Sequence, residues 1–274
     1  MAFKLFDYQS SGKGVSKSAP QKKPFFKYWE IFGRKFWKLI ELNMLYVLFC
    51  IPIITFGPAT AALTHVMRKF ILEQPCFVFD EFFTAFKKNF KQSVFIGIVD
   101  VIMIVSVWIA CFQFLMNESL PDGSLVFICI MICCATLVFI MHFYIYLEIV
   151  ALNLSIGSIL KNAVFLVFLG VKRNFIALII NLAIISLIVL FLPFSVFAVI
   201  FLPLSLMCFT TTFICYPVIQ KYIVNPYYEE RGERNPELGP ITEEDIAENA
   251  VFVDRGGSER EIKADPKAHG KVIK

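Results

Sequence analysis

The chain has 274 residues, of which 58% are hydrophobic and only 18% are charged, and its formal net charge is +4. Soluble domains are nearer half apolar and about a quarter charged. This composition excludes an ordinary soluble domain and indicates an integral membrane protein. The eight cysteines fall mostly inside apolar stretches, where thiols behave as small hydrophobic groups rather than as metal ligands.

Charge divides the chain into three regions. Residues 1–35 are polar and rich in lysine, which predicts a basic, disordered cytoplasmic arm. Residues 225–274 are again polar and too poor in apolar side chains to build a core, which predicts a disordered tail. We therefore expect the folded part, a transmembrane bundle, to occupy residues 36–224.

Six apolar blocks predict the spans of this bundle. A helix needs about 20 residues to cross the hydrocarbon core of a bilayer. Most of the blocks approach or exceed that length, but the second, with about 15 residues, is short. In chain order the blocks are 36–56, 58–72, 93–116, 124–152, 175–192 and 194–223.

The pair Gly57-Pro58 separates the first two blocks and predicts the outer tip of a hairpin. Glycine accepts turn conformations that a β-carbon forbids, and proline at the first position of a helix loses no hydrogen bond. Basic clusters precede the third and fifth blocks, and the basic arm shares their side of the membrane only if the first two blocks both cross. Both termini are then cytoplasmic. The alternative is a second block that enters the membrane and returns.

A short motif recurs before two of the spans. FKKNF (86–90) precedes the third block and VKRNF (171–175) precedes the fifth. Each follows an amphipathic stretch typical of a helix that lies in the membrane interface. The predicted fold is an all-α, polytopic bundle of about six spans, arranged as three hairpins joined by two cytoplasmic elbow helices. The recurrence fits a duplication, as in many transporters, or basic residues that only set topology. The elbow motifs contain Lys87, Lys88, Asn89, Lys172, Arg173 and Asn174.

Polar residues inside the spans are candidates for function, because ionisable groups are costly in the membrane. At about 1.5 Å per residue, Asp100 lies roughly 10 Å and His142 roughly 15 Å from the inner ends of their spans. A carboxylate that faces an imidazole predicts either a proton- or cation-binding site or a hydrogen-bonded pair that fixes helix packing. The full predicted layer comprises Asp100, His142, His65, Asn181 and Glu148.

Motifs of known chemistry are missing from the sequence. It contains no HExxH, no GxSxG and no glycine-rich phosphate loop. We therefore expect no enzyme activity, no catalytic residue, no metal and no cofactor. No folded platform for nucleic acid is indicated either, so the expected partner is the lipid bilayer. The sequence does not indicate an oligomeric state.

The run LNMLYVLFCIPIITFGPATAAL (42–63), followed by FDEFFTAFKKNFKQS (79–93), resembles the YesL-like family of bacterial membrane proteins. The pattern of that family has an asparagine early in the first span, then a proline, then a Thr-x-Gly-Pro-Ala-Thr turn. The resemblance covers roughly residues 25–230. The motif and turn positions in this chain are Asn43, Pro52, Gly57, Pro58 and Ala59.

This resemblance implies a multi-pass protein of the cell membrane of Gram-positive bacteria. Members of the family resemble proteins encoded beside carbohydrate uptake transporters. The implied function is a non-catalytic accessory protein that assists or regulates oligosaccharide uptake alongside the subunits of an ABC-type importer. The alternative is a small proton- or ion-linked transporter that uses the layer around Asp100 and His142. An importer permease itself is disfavoured, because the second elbow lacks the Glu-Ala-Ala coupling motif of such permeases.

Overall fold

The computed structural model describes residues 23–116, 124–233 and 235–238, and these ranges contain helices and no strand. Residues 1–22 of the predicted N-terminal arm and most of the predicted tail lie outside the described residues. So do residues 117–123. Residues 24–35 of the predicted arm, in contrast, belong to the first helix.

Nine α-helices lie within the described ranges, and all of them belong to one compact unit, Gln21–Asn235. The 3₁₀ turn Pro236–Leu238 belongs to a second unit. A 3₁₀ turn, Ile53–Thr55, precedes the second helix, and a π-helical segment, Gln220–Val224, precedes the last. The helices are α1 (Pro24–Cys50), α2 (Phe56–Ile71), α3 (Val78–Met116), α4 (Ser124–Ala151), α5 (Ile156–Leu169), α6 (Val171–Leu190), α7 (Ser195–Phe201), α8 (Pro203–Ile219) and α9 (Asn225–Glu230).

Four helical segments in the described part of the chain are long and apolar enough to cross a membrane. They are Val78–Ala110, Val126–Ala151, Val171–Leu190 and Pro203–Glu230. The prediction of an all-helical membrane protein is thus confirmed, whereas the number of six spans is not. The first two helices differ from the other four for physical reasons. Six charged side chains interrupt α1, and the 16 residues of α2 extend only about 24 Å.

The first turn lies earlier than predicted. Helix α1 ends at Cys50, and the chain turns through Pro52 and the 3₁₀ segment before α2 begins at Phe56. The hydroxyl of Thr55 holds this turn by donating to the carbonyl oxygen of Phe49, 2.5 Å away. Gly57 is therefore not the turn residue, and with Pro58 and Ala59 it forms the first turn of α2.

Gly57 instead allows two helices to approach closely. Helix α2 runs antiparallel to the first half of α3, with Gly57 beside Gly97 and Lys69 beside Glu81. A β-carbon at residue 57 would overlap the carbonyl oxygen of Ser93, and one at residue 97 would lie 2.6 Å from the Cα of Gly57. Small residues commonly allow such backbone contact between membrane helices.

The first predicted elbow is not a separate helix. It is the beginning of α3, which runs unbroken for 39 residues, about 58 Å. The second elbow, α5, is a separate helix that ends at Gly170. The asparagine of each motif, Asn89 or Asn174, is buried. The basic side chains beside them are exposed, and these are Lys87, Lys88, Lys172 and Arg173.

The sixth apolar block is also divided. Helix α7 ends at Phe201 and α8 begins at Pro203, because proline lacks an N–H and cannot continue a helix. Such a break leaves backbone groups without helical partners, and Asn43 of α1 satisfies three of them. Its Nδ2 donates to the carbonyl oxygens of residues 199 and 200, each at 2.8 Å, and its Oδ1 accepts from the backbone N–H of Ser205 at 2.7 Å.

Large apolar side chains remain exposed on the outside of this bundle. They concentrate on α6, α7 and the hairpin formed by the second half of α3 and the first half of α4, and include Ile102, Trp108, Phe127, Phe175, Phe194 and Phe197. Exposed apolar surface of this extent marks contact with another apolar phase. A lipid environment accounts for it.

We expect Gly57→Val to destabilise the protein, because the new side chain would overlap the backbone of α3. Overpacking of this kind costs about 1–3 kcal/mol. The measurement is the thermal unfolding midpoint of the purified protein in detergent. Gly33→Ala on α1 is the control, because its added β-carbon meets no atom within 4 Å and alanine favours a helix. Equal midpoints for Gly57→Val and the wild type would contradict the close contact.

Candidate functional site

Asp100 of α3 lies at the centre of a buried polar cluster. Its Oδ2 is 3.3 Å from Nδ1 of His142 and accepts a hydrogen bond of 2.8 Å from the hydroxyl of Tyr146. Both partners come from α4, where a spacing of four residues places them on one face of the helix. Only 9% of Asp100 is exposed.

This arrangement orients the imidazole. With Nδ1 directed at the carboxylate, His142 presents its other nitrogen, Nε2, away from Asp100. A carboxylate–imidazole pair can hold or transfer a proton, and it can also simply fix two helices to each other. The distance between Asp100 and His142 is compatible with both roles, and each of them stays a prediction.

A cavity of about 140 Å³ adjoins the cluster. His142 and Tyr146 line it, whereas Asp100 lies behind them and does not. Its walls come from five helices, α1, α2, α4, α6 and α8. The polar lining residues are Tyr46, Thr60, Thr64, His142, Tyr146, Asn181, Thr211 and Thr212, together with the thiol of Cys208.

Asn181 of α6 lies on this cavity and joins α6 to α8. Its Nδ2 donates to Oγ1 of Thr211 at 2.9 Å and to the carbonyl oxygen of Ala177 at 2.7 Å. The residue is 1% exposed. Asn181 and His142 are therefore the two members of the predicted polar layer that line the same cavity.

His65 belongs to a different group. Its Nε2 lies 3.2 Å from the carboxylate of Glu81, which also pairs with Lys69. This contact joins α2 to the beginning of α3. Sequence analysis did not identify this pairing, because it depends on how α2 aligns with α3. The signal available was the i, i+4 spacing of His65 and Lys69 on α2.

Glu148 lies apart from the cavity, on the part of α4 that packs against α5. It is fully buried, and neither of its carboxyl oxygens makes a hydrogen bond with a described residue. The side-chain amide of Asn162 on α5 is close enough to act on its charge. Glu148 therefore shares neither partners nor cavity with His142.

The predicted layer thus separates into three places. Asp100, His142 and Asn181 gather at the cavity, His65 lies on the α2–α3 contact, and Glu148 faces α5. Sequence analysis missed the hydroxyl groups that complete the cavity. Among the residues that the structure describes, no group of three or more His, Cys, Asp or Glu side chains is arranged to hold a metal ion.

Comparison with known families gives one match. A family model described as "Protein of unknown function, DUF624" matches residues 39–111. This region runs from the middle of α1 through α2 and most of α3, and it includes Asn43, Gly57, Gly97 and Asp100. No curated protein and no solved structure matches the chain.

We expect Tyr146→Phe to lower stability, because it removes a donor from a buried carboxylate. The expected loss is about 1.5–3 kcal/mol, the range for a hydrogen bond to a charged group. The measurement is the unfolding midpoint in detergent. Tyr222→Phe is the matched control, because Tyr222 is 41% exposed. If the two variants lost the same stability, the hydrogen bond to Asp100 would contribute nothing specific.

Proposed function

We propose that this chain is a non-catalytic accessory protein of the bacterial cell membrane, which assists or regulates the uptake of oligosaccharides by an ABC-type importer. The sequence resemblance to the YesL-like family at 42–63 and 79–93 supports this proposal. The family-model match at 39–111 covers both stretches, and that family is itself of unknown function.

The observation that carries the proposal is that the interior polar side chains bond to neighbouring helices. Asn43, Asn174 and Asp100 each hydrogen-bond to another helix. Side chains engaged in this way stabilise a scaffold. The apolar exterior of the bundle leaves room for membrane partners, among them importer subunits.

We further propose that both chain termini lie in the cytoplasm of a Gram-positive bacterium and that six segments cross the membrane. The contacts of two arginines support the view that the basic residues lie together at one end of the bundle. Arg68 at the end of α2 donates to the hydroxyl of Tyr216 at 2.7 Å, and Arg173 at the start of α6 donates to the carbonyl oxygen of Ile214 at 3.4 Å. Both cations thus lie near the C-terminal end of α8, and cations favour the cytoplasmic side.

A second candidate function is a small proton- or ion-linked transporter. The position of His142, between Asp100 and the cavity, favours it. An ionisable pair beside a cavity is the arrangement expected of a proton-linked site.

The accessory function predicts that importer subunits co-purify with the protein. The tagged chain would be extracted in mild detergent from its native cells grown on an inducing oligosaccharide, and bound proteins identified by mass spectrometry. An unrelated multi-span protein with the same tag is the control. Recovery of no importer subunit above that control would overturn the proposal.

Two variants separate the candidates. Asp100→Asn and His142→Ala remove the ionisable pair and leave the large exposed apolar side chains of the exterior unchanged. An accessory protein keeps its co-purifying partners in both variants, whereas a proton-linked transporter loses uptake of its solute by the cells. Uptake that is unchanged in both variants would exclude the transporter.

A further inference from the structure

The cavity between α2, α4, α6 and α8 has the features of a binding site for a small molecule. Helices that come from distant parts of the chain line it, with Tyr46 of α1 completing the wall, and one side of the cavity stays open. At about 30 Å³ for each water molecule, its volume of about 140 Å³ equals roughly four to five waters. An oligosaccharide is far too large for it.

Unused hydrogen-bonding groups face this cavity. The two N–H groups of Asn181 are engaged, but its Oδ1 has no hydrogen-bond partner among the described residues. The hydroxyl of Thr212, itself 1% exposed, has only the sulfur of Cys208 at 3.9 Å. His142 offers Nε2, because Nδ1 is directed at Asp100. A ligand gains affinity here where its own hydrogen bonds to these groups replace those of the water that would otherwise fill the cavity.

The charges of the groups around the cavity limit the classes of ligand that it could bind. Asp100 does not line the cavity, and its Oδ2 is already held by His142 and Tyr146. The lining groups are hydroxyls, an amide, an imidazole and a thiol, so neither a carboxylate nor an ammonium ion would find an opposite charge there. A wholly apolar molecule would leave Asn181 and Thr212 unsatisfied. The remaining class is uncharged and rich in hydroxyl groups.

The apolar part of the wall fits the same class. Leu63, Leu147, Leu204 and Met207 line the cavity beside the polar groups, and Phe139 and Phe143 add aromatic surface. Mixed walls of this kind, mostly apolar with a few directed polar groups, are typical of small-molecule sites. They suit the C–H faces of a polyol while its hydroxyls bond to Asn181 and Thr212.

We propose that this cavity binds a small uncharged polyol of the triol or tetritol class. This inference goes beyond both candidate functions. It assigns a class of ligand to the cavity. The assignment holds whether the protein transports the bound molecule or only signals its presence to a partner protein.

The test is direct binding to the full-length protein in detergent, by scintillation proximity with tritiated glycerol and tritiated erythritol. We expect saturable binding of at least one. Unlabelled hexitol should compete poorly because its six-carbon chain extends beyond a cavity of about 140 Å³. Glycerate should compete poorly because it is charged, and pentanol because it has a single hydroxyl group on an apolar chain. Absence of saturable binding by both labelled polyols would show that the cavity holds water only and would overturn the proposal. Equal competition by pentanol would also overturn it, because the additional hydroxyl groups of the polyol would then contribute nothing to binding.

Variants locate the binding. Thr212→Val keeps the side-chain shape and removes the hydroxyl, and we expect it to weaken binding about tenfold, the effect of one hydrogen bond. Thr136→Val on α4 is the control, because its hydroxyl is exposed and bonds only to the carbonyl oxygen of Ile132 in its own helix. Unchanged binding in Thr212→Val would overturn the proposed site.

A third variant tests the side-chain amide of Asn181. Asn181→Leu removes the unpartnered oxygen but also the hydrogen bond to Thr211, so it is interpreted only together with Thr212→Val and an unfolding curve. These outcomes are independent of the accessory function. A polyol site that survives while no importer subunit co-purifies would overturn that function alone, and the reverse pattern would overturn the site alone.

Discussion

The contact between Gly57 and Gly97 is the constraint on which the arrangement of the helices depends. It holds α2 against α3 with their backbones touching, and this places the alanines that follow Gly57 in the buried core. Because α2 is so close to α3, its opposite side meets α4 and α8, and the cavity forms between them. A wider separation of α2 from α3 would push α2 into the space that the cavity occupies.

Buried asparagine side chains stabilise the fold in addition to the close packing of the helices. In lipid, each backbone group must find a partner inside the protein. Asn43 serves the break between α7 and α8, and Asn174 accepts from the hydroxyl of Tyr144 while its Nδ2 donates to the carbonyl oxygen of Val167 at the end of α5. These side chains stand where the helices are interrupted. The irregular parts of the fold are thus stabilised from neighbouring helices.

Much of this fold was predictable, because apolar blocks and helix breaks are local properties. Depth estimates placed Asp100 and His142 in the same layer, and they lie 3.3 Å apart. The errors concern relations between helices. The role of Gly57 depends on what lies opposite it, and the partner of His65 depends on the register of α2 against α3. Neither is encoded in hydrophobic periodicity, so the sequence predicted a turn at Gly57 and did not identify Glu81 as the partner of His65.

The continuity of α3 has a mechanical consequence. A straight helix transmits displacement along its axis, since its hydrogen bonds resist stretching. Near its start, Glu81 is tied to Lys69 and His65, and one turn after Gly97 it carries Asp100. A partner that pulled on the basic end of α2 would therefore shift the carboxylate that orients His142. Helix α3 thus connects the basic end of the bundle with the polar cluster in its interior.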